Sequence, residues 1–173
     1  MYIEEFLVAA VLLTLMPGPD ILCVLVQSMT RGKKAGIVFA AGLCTGLVVH
    51  VTAVALGVSA LLLSSSWAFT LLKILGACYL FYLGVKTFWH CRENHFQLSD
   101  ATPIRSRLYG KGILMNVLNP KVILFFLALF PRFVNPEMGH PMGQVFVLGA
   151  IFMVQAFLIF STVAFLAGFW CAI

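Results

Sequence analysis

Apolar residues fill this chain in long runs, cut by short polar connections, and the run lengths predict membrane-spanning helices. The runs cover about 6–27, 36–63, 68–88, 112–130 and 145–170. Each holds on the order of 20 residues or somewhat more, the number a helix needs to cross the hydrocarbon core of a bilayer. The connections between them differ in character. Arg31-Gly32-Lys33-Lys34 is short and basic, Ser64-Ser65-Ser66-Trp67 is uncharged, and Pro131 to Glu137 is turn-rich. The stretch from about Trp89 to Lys111 is polar enough to form an aqueous loop. The pattern therefore predicts an all-α integral membrane protein of about five transmembrane helices in one domain.

Two of these runs are interrupted. Met16-Pro17-Gly18-Pro19-Asp20 breaks the first, because proline lacks the amide donor and clashes with the preceding turn. A helix restarting there places Gly18 near the N-cap and Pro19 in the first turn. Asn119-Pro120-Lys121 breaks the fourth in the same way, with Asn119 as the cap and Pro120 in the first turn. Aligning the two breaks sets Asp20 opposite Lys121. Interrupted helices at matching places in two halves of a membrane chain mark a transporter's binding site, since they leave amides and carbonyls unpaired near the midplane.

Basic residues set the expected orientation. Arg31, Lys33, Lys34, Lys86, Arg92, Arg105, Arg107 and Lys111 fall on one side, and Lys73 and Arg132 on the other. The positive-inside bias puts the first group in the cytoplasm, the N-terminus outside and the C-terminus inside. The first and fourth spans then cross in opposite senses. The result is an inverted 3+3-type repeat, with half one at about 1–90, a cytoplasmic loop at about 89–111, and half two at about 108–173 lacking its last helix. The N-terminus carries Glu4 and Glu5 where a signal peptide would be basic, so the first helix is expected to stay attached.

Composition supports the membrane assignment and excludes other classes. Of the 173 residues, 62% are hydrophobic and 10% charged, and the mean hydropathy of +1.04 exceeds what one soluble core of this size could bury. The net charge of +5 reports loop bias rather than nucleic-acid binding. Cys23, Cys44, Cys78, Cys91 and Cys171 lie mainly in apolar stretches without C-x-x-C spacing, which argues against a disulfide framework or zinc site. No nucleophilic triad, phosphate loop or metal-ligand cluster stands out, so neither enzyme chemistry nor a cofactor is expected.

An ionised group at the centre of a spanning helix costs about 2.5–3.5 kcal/mol to insert, so Asp20 and Lys121 are expected to face the interior and find partners. One reading gives them a zwitterionic substrate; the other makes them a structural ion pair locking the broken helices. The candidate binding residues are Gly18, Pro19, Asp20, Asn119, Pro120 and Lys121. Helix ends at the two breaks would attract a carboxylate, while Asp20 would meet an ammonium, a combination that suits an amino acid. His50, with Asp20, is a candidate proton relay, or else a hydrogen-bonded packing residue. Asn116 and Gln155 are read as packing links, and Gly42-x-x-x-Gly46 as a site of close approach to a broken helix. Lys73 and Lys86 are expected to snorkel.

The two proline motifs, the Gly42 to Gly46 segment, Leu75-Gly76-Ala77-Cys78-Tyr79-Leu80 with Tyr82-Leu83-Gly84, and Phe125-Phe126 after the second break together resemble the LysE/RhtB family of amino-acid exporters. The resemblance covers most of residues 6–135. It implies a bacterial inner-membrane protein of about six spans that exports amino acids or related metabolites, driven by the proton gradient. It places the family's motifs on Pro17 to Asp20 and on Asn119 to Lys121. The expected partners are a small-molecule substrate and the lipid bilayer, with homo-oligomerisation left open. Two rival readings remain: a membrane thiol-redox carrier, for which Cys23 faces Leu124 rather than a matching cysteine, and a truncated membrane protein without transport.

Overall fold

The computed structural model describes residues 3–62, 74, 82 and 105–170, and the described residues form helices and short connections without strands. The helices are α1 (Ile3–Leu15), α2 (Pro19–Arg31), α3 (Lys33–Leu62), α4 (Arg105–Val117), α5 (Pro120–Leu124) and α6 (Pro141–Trp170). A π turn (Phe125–Leu129) and a 3₁₀ turn (Phe130–Phe133) follow α5 directly. A second 3₁₀ turn spans Pro136–Met138. The predicted third span at about 68–88, most of the polar loop, Lys73, Lys86, Cys78, Cys91 and Cys171 lie outside the described residues.

Two stretches, Lys33–Leu56 and Pro141–Phe169, are long and apolar enough to cross a membrane as single helices. Two bent pairs join them. α1 and α2 meet at 55°, and the pair Ser106–Val117 and Pro120–Phe133 at 46°. The prolines account for both bends, because each removes an amide from the i→i−4 ladder. The outward faces are apolar: Val8, Leu12, Leu56, Leu158 and Leu166 are each at least 60% exposed. Such surface is costly in water and at home in lipid.

One boundary differs from the sequence expectation. The aqueous loop was expected to run to Lys111, but α4 begins at Arg105 and carries Arg107 and Lys111 on helical backbone. Arginine and lysine are good helix formers, so polarity alone does not end a helix.

α3 packs on α6 and α4, while α2 packs on both α3 and α6. Glycine sets the approach of α3 to α4. A Cβ on Gly42 would collide with the carbonyl of Tyr109, and Gly112 faces back against Phe39, Leu43 and Gly42. The G-x-x-x-G segment thus brings the second predicted span against a broken helix, as the sequence suggested. Gly32 turns α2 into α3 with φ of 80°, a conformation that glycine adopts without the Cβ clash.

Six aromatic rings fill the space between α1, α6 and the segment after α5. Phe126 stacks on Phe130 at 4.8 Å, and Phe6 meets Phe133 edge-on at 5.2 Å and Phe130 at 5.3 Å. Phe125 and Phe126 both approach Phe152, at 5.4 Å and 5.3 Å. The π turn makes this possible. Its i→i+5 bond, from the Phe130 amide to the Phe125 carbonyl, brings residues five apart onto one side, where a 3.6-residue period would splay them.

Candidate functional site

The first break is built by Gly18 and Pro19. Gly18 is the extended N-cap of α2, Pro19 occupies its first turn, and Asp20 follows there with its side chain buried. A carboxylate in the first turn sits at the positive end of the helix dipole. The second break is built by Asn119 and Pro120. The Asn119 side-chain oxygen accepts from the Lys121 amide at 3.0 Å, and Pro120 occupies the first turn of α5. Both caps stand where the sequence placed them.

Lys121 is less well served by its own helix, because an ammonium at an N-terminus opposes the dipole. It reaches instead across to the other break. Its Nζ donates to the carbonyl oxygen of Met16 at 2.8 Å, just beyond the C-terminal, negative end of α1. The side chain runs beside Gly18, where an added Cβ would sit 3.4 Å from both Cδ and Nζ. The break between α1 and α2 therefore offers both poles at once: its carbonyl end takes the lysine, and its amide end holds the aspartate.

Asp20 reaches back in turn. Its Oδ2 accepts from Asn116 Nδ2 at 3.5 Å, a long bond, and the carboxylate also feels the Lys121 charge and the Asn119 amide. The Asn119 contact falls short of a hydrogen bond, since Asn119 Nδ2 and Asp20 Oδ1 are both without partners. No ion pair within 4.0 Å joins Asp20 to Lys121. The two charges were expected to be close, with a structural ion pair as one alternative. They share one cavity, but no ion pair forms: the lysine bonds the Met16 main chain, and the aspartate's one hydrogen bond comes from Asn116.

Asn116, 2% exposed, stands at the crossing of these contacts. His50 Nε2 lies 3.2 Å from its carbonyl oxygen, and the His50 ring stacks on Phe126 at 5.6 Å. His50 thus makes the helix-to-helix hydrogen bond that was the alternative to a proton relay. Gln155 links α6 to α1 through Nε2 to Thr14 Oγ1 at 3.0 Å. Sequence reasoning treated Asn116 as a packing link. Its place four residues before Pro120, one turn ahead of the break, is the signal that could have singled it out.

The cavity between the breaks is walled by Asp20, Asn116, Lys121, Thr14 and apolar residues including Leu47 and Phe160. Its volume is about 20 Å³, space for a water molecule or two rather than an amino acid. Admitting a larger solute requires the helices to part. Among the described residues no group of three or more His, Cys, Asp or Glu side chains is arranged to hold a metal ion. Cys23 and Cys44 are buried and unpaired.

Comparison with known proteins adds a family and several relatives. The LysE type translocator family matches residues 11–172. The chain is 33% identical over 162 residues to the homoserine/homoserine lactone efflux protein of Salmonella typhimurium, covering 94% of this chain and 78% of that one. It is 32% identical over 171 residues to the uncharacterized membrane protein YrhP of Bacillus subtilis, covering 92% and 80%. It is 29% identical over 153 residues to the leucine efflux protein of Salmonella choleraesuis, covering 88% and 72%. No solved structure matches the chain.

Proposed function

The chain belongs to the LysE type translocator family, whose members are membrane transporters and not enzymes, and from that premise we propose that it exports amino acids or related small metabolites. The observation that carries this reading is the placement of an acid and a base, Asp20 and Lys121, in the wall of one cavity between two broken helices. An amino acid has the complementary pair of charges. Its ammonium would take Asp20, and its carboxylate would draw Lys121 away from Met16. Releasing Met16 frees the C-terminal end of α1, so binding and loosening of the first break become one event. Gly18, Pro19, Asn119 and Pro120 contribute by shaping the two helix ends.

In this proposal the protein sits in a bacterial inner membrane with its N-terminus outside, and rocking of one half against the other releases substrate outward. Asp20 alternates between substrate ammonium and a proton, which couples export to the proton gradient. Separate Asp20→Asn and Lys121→Leu variants test the assignment in cells made sensitive to amino-acid or dipeptide feeding. Both are expected to lose export while still inserting in the membrane. Unchanged export in both would remove the proposed role of the pair.

A further inference from the structure

On the reading that this is an amino-acid exporter, we infer that Asn116 is a second ligand for the substrate ammonium, shared with Asp20, and that the remaining cavity wall selects an uncharged side chain. Asn116 and Asp20 both line the cavity, and both are more than nine-tenths buried. Asn116 commits its Nδ2 to Asp20 Oδ2, which leaves Asn116 Oδ1 and Asp20 Oδ1 without any partner. Two unsatisfied acceptors in a buried site are costly and match a group that brings only donors. A primary ammonium brings three. Lys121 supplies the opposite pole, with N–H groups to spare beyond the one given to Met16.

The Asn116 backbone is pinned, and the space its carboxamide fills is kept clear. His50 bonds the Asn116 backbone oxygen, and Gly46 leaves the space the side chain fills. A Cβ on Gly46 would lie 2.9 Å from Asn116 Cβ and 3.0 Å from its Oδ1. The rest of the lining is Leu13, Leu47, Val122, Phe152, Ala156 and Phe160, with Thr14 already engaged by Ala10 and Gln155. A substrate side chain entering that region meets hydrocarbon. A second charge there would be buried without a counter-charge.

Counterflow in vesicles containing the full-length purified protein, with radiolabelled leucine as probe, tests the inference. Unlabelled leucine and methionine are expected to compete; N-acetyl-leucine, which lacks the ammonium, and lysine and glutamate, which bring a second charge into the apolar wall, are expected to compete at least about tenfold more weakly. Asn116→Leu is expected to raise the half-saturation concentration for leucine about tenfold or more, and Gly46→Ala, whose methyl crowds the Asn116 side chain and the Ile113 carbonyl while keeping the carboxamide, to raise it less. Equal competition by lysine, or an Asn116→Leu half-saturation within about twofold of the parent, would overturn the inference while leaving the exporter standing. Absence of counterflow with every amino acid tried would overturn the exporter reading itself. The competition series uses the unaltered protein, so it decides the side-chain selectivity whether or not a variant folds, and the Asn116 variant, checked for folding by its elution as a single detergent-solubilised species, decides the ligand role.

Discussion

The Lys121 ammonium donates a hydrogen bond to the main-chain oxygen of Met16 at 2.8 Å, and so the second helix break is fastened to the first through backbone rather than through the nearby carboxylate of Asp20. The distinction has a measurable consequence. Removing both charges together leaves an ion pair nearly neutral in stability, but it leaves a carbonyl acceptor orphaned. The Asp20→Asn/Lys121→Met double variant is therefore expected to remain about 1–3 kcal/mol less stable than the parent in detergent unfolding. Recovery to parental stability would show that the two charges mainly serve each other.

The glycines of α3 and α4 make opposite predictions. Gly42→Ala drives a methyl into the Tyr109 carbonyl, a backbone atom that cannot rotate aside, and is expected to cost about 1–3 kcal/mol by overpacking. Gly110→Ala meets nothing within 4 Å and replaces a poor helix former. It is expected to be neutral or to stabilise by up to about 1 kcal/mol. Thermal unfolding of the two variants side by side checks the pair.

His50 is joined to the cavity wall through the backbone of Asn116. Losing its hydrogen bond to the Asn116 carbonyl is expected to raise the half-saturation concentration of the probe amino acid about two- to tenfold in His50→Leu. His50→Gln, which keeps a donor, should restore most of that loss. Equal impairment of both variants would point to the imidazole itself, as a proton relay requires.

Cys23 is 1% exposed and Cys44 8% exposed, and neither is paired. A membrane-impermeant maleimide is expected to leave both unlabelled in intact vesicles. Cys23→Ala is expected to keep counterflow within about twofold of the parent. Loss of activity in that variant would revive the thiol-redox reading.

Much of this arrangement was legible in the sequence, and the reasons are local. Proline lacks an amide N–H wherever it stands, so the bends at Pro19 and Pro120 and the Asn119 cap could be placed without a structure. Gly42 and Gly46 announced a close crossing by spacing alone. What was hidden depends on atoms that a residue name does not single out. Every residue has a carbonyl, so nothing marked Met16 as the acceptor for Lys121. The reach of α4 back to Arg105 was concealed because Arg105, Arg107 and Lys111 interrupt the apolar run without ending the helix. The π turn at Phe125–Leu129 was hidden because the Phe125-Phe126 pair also fits an ordinary helix.

Because the acceptor at position 16 belongs to the main chain, no side-chain replacement there deletes it. The methionine itself is replaceable: leucine, glutamine or alanine would present the same oxygen, provided the bend keeps its shape. The fastening is thus insulated from drift on one of its two sides, and mutational sensitivity should concentrate on the lysine and on the prolines that aim the oxygen.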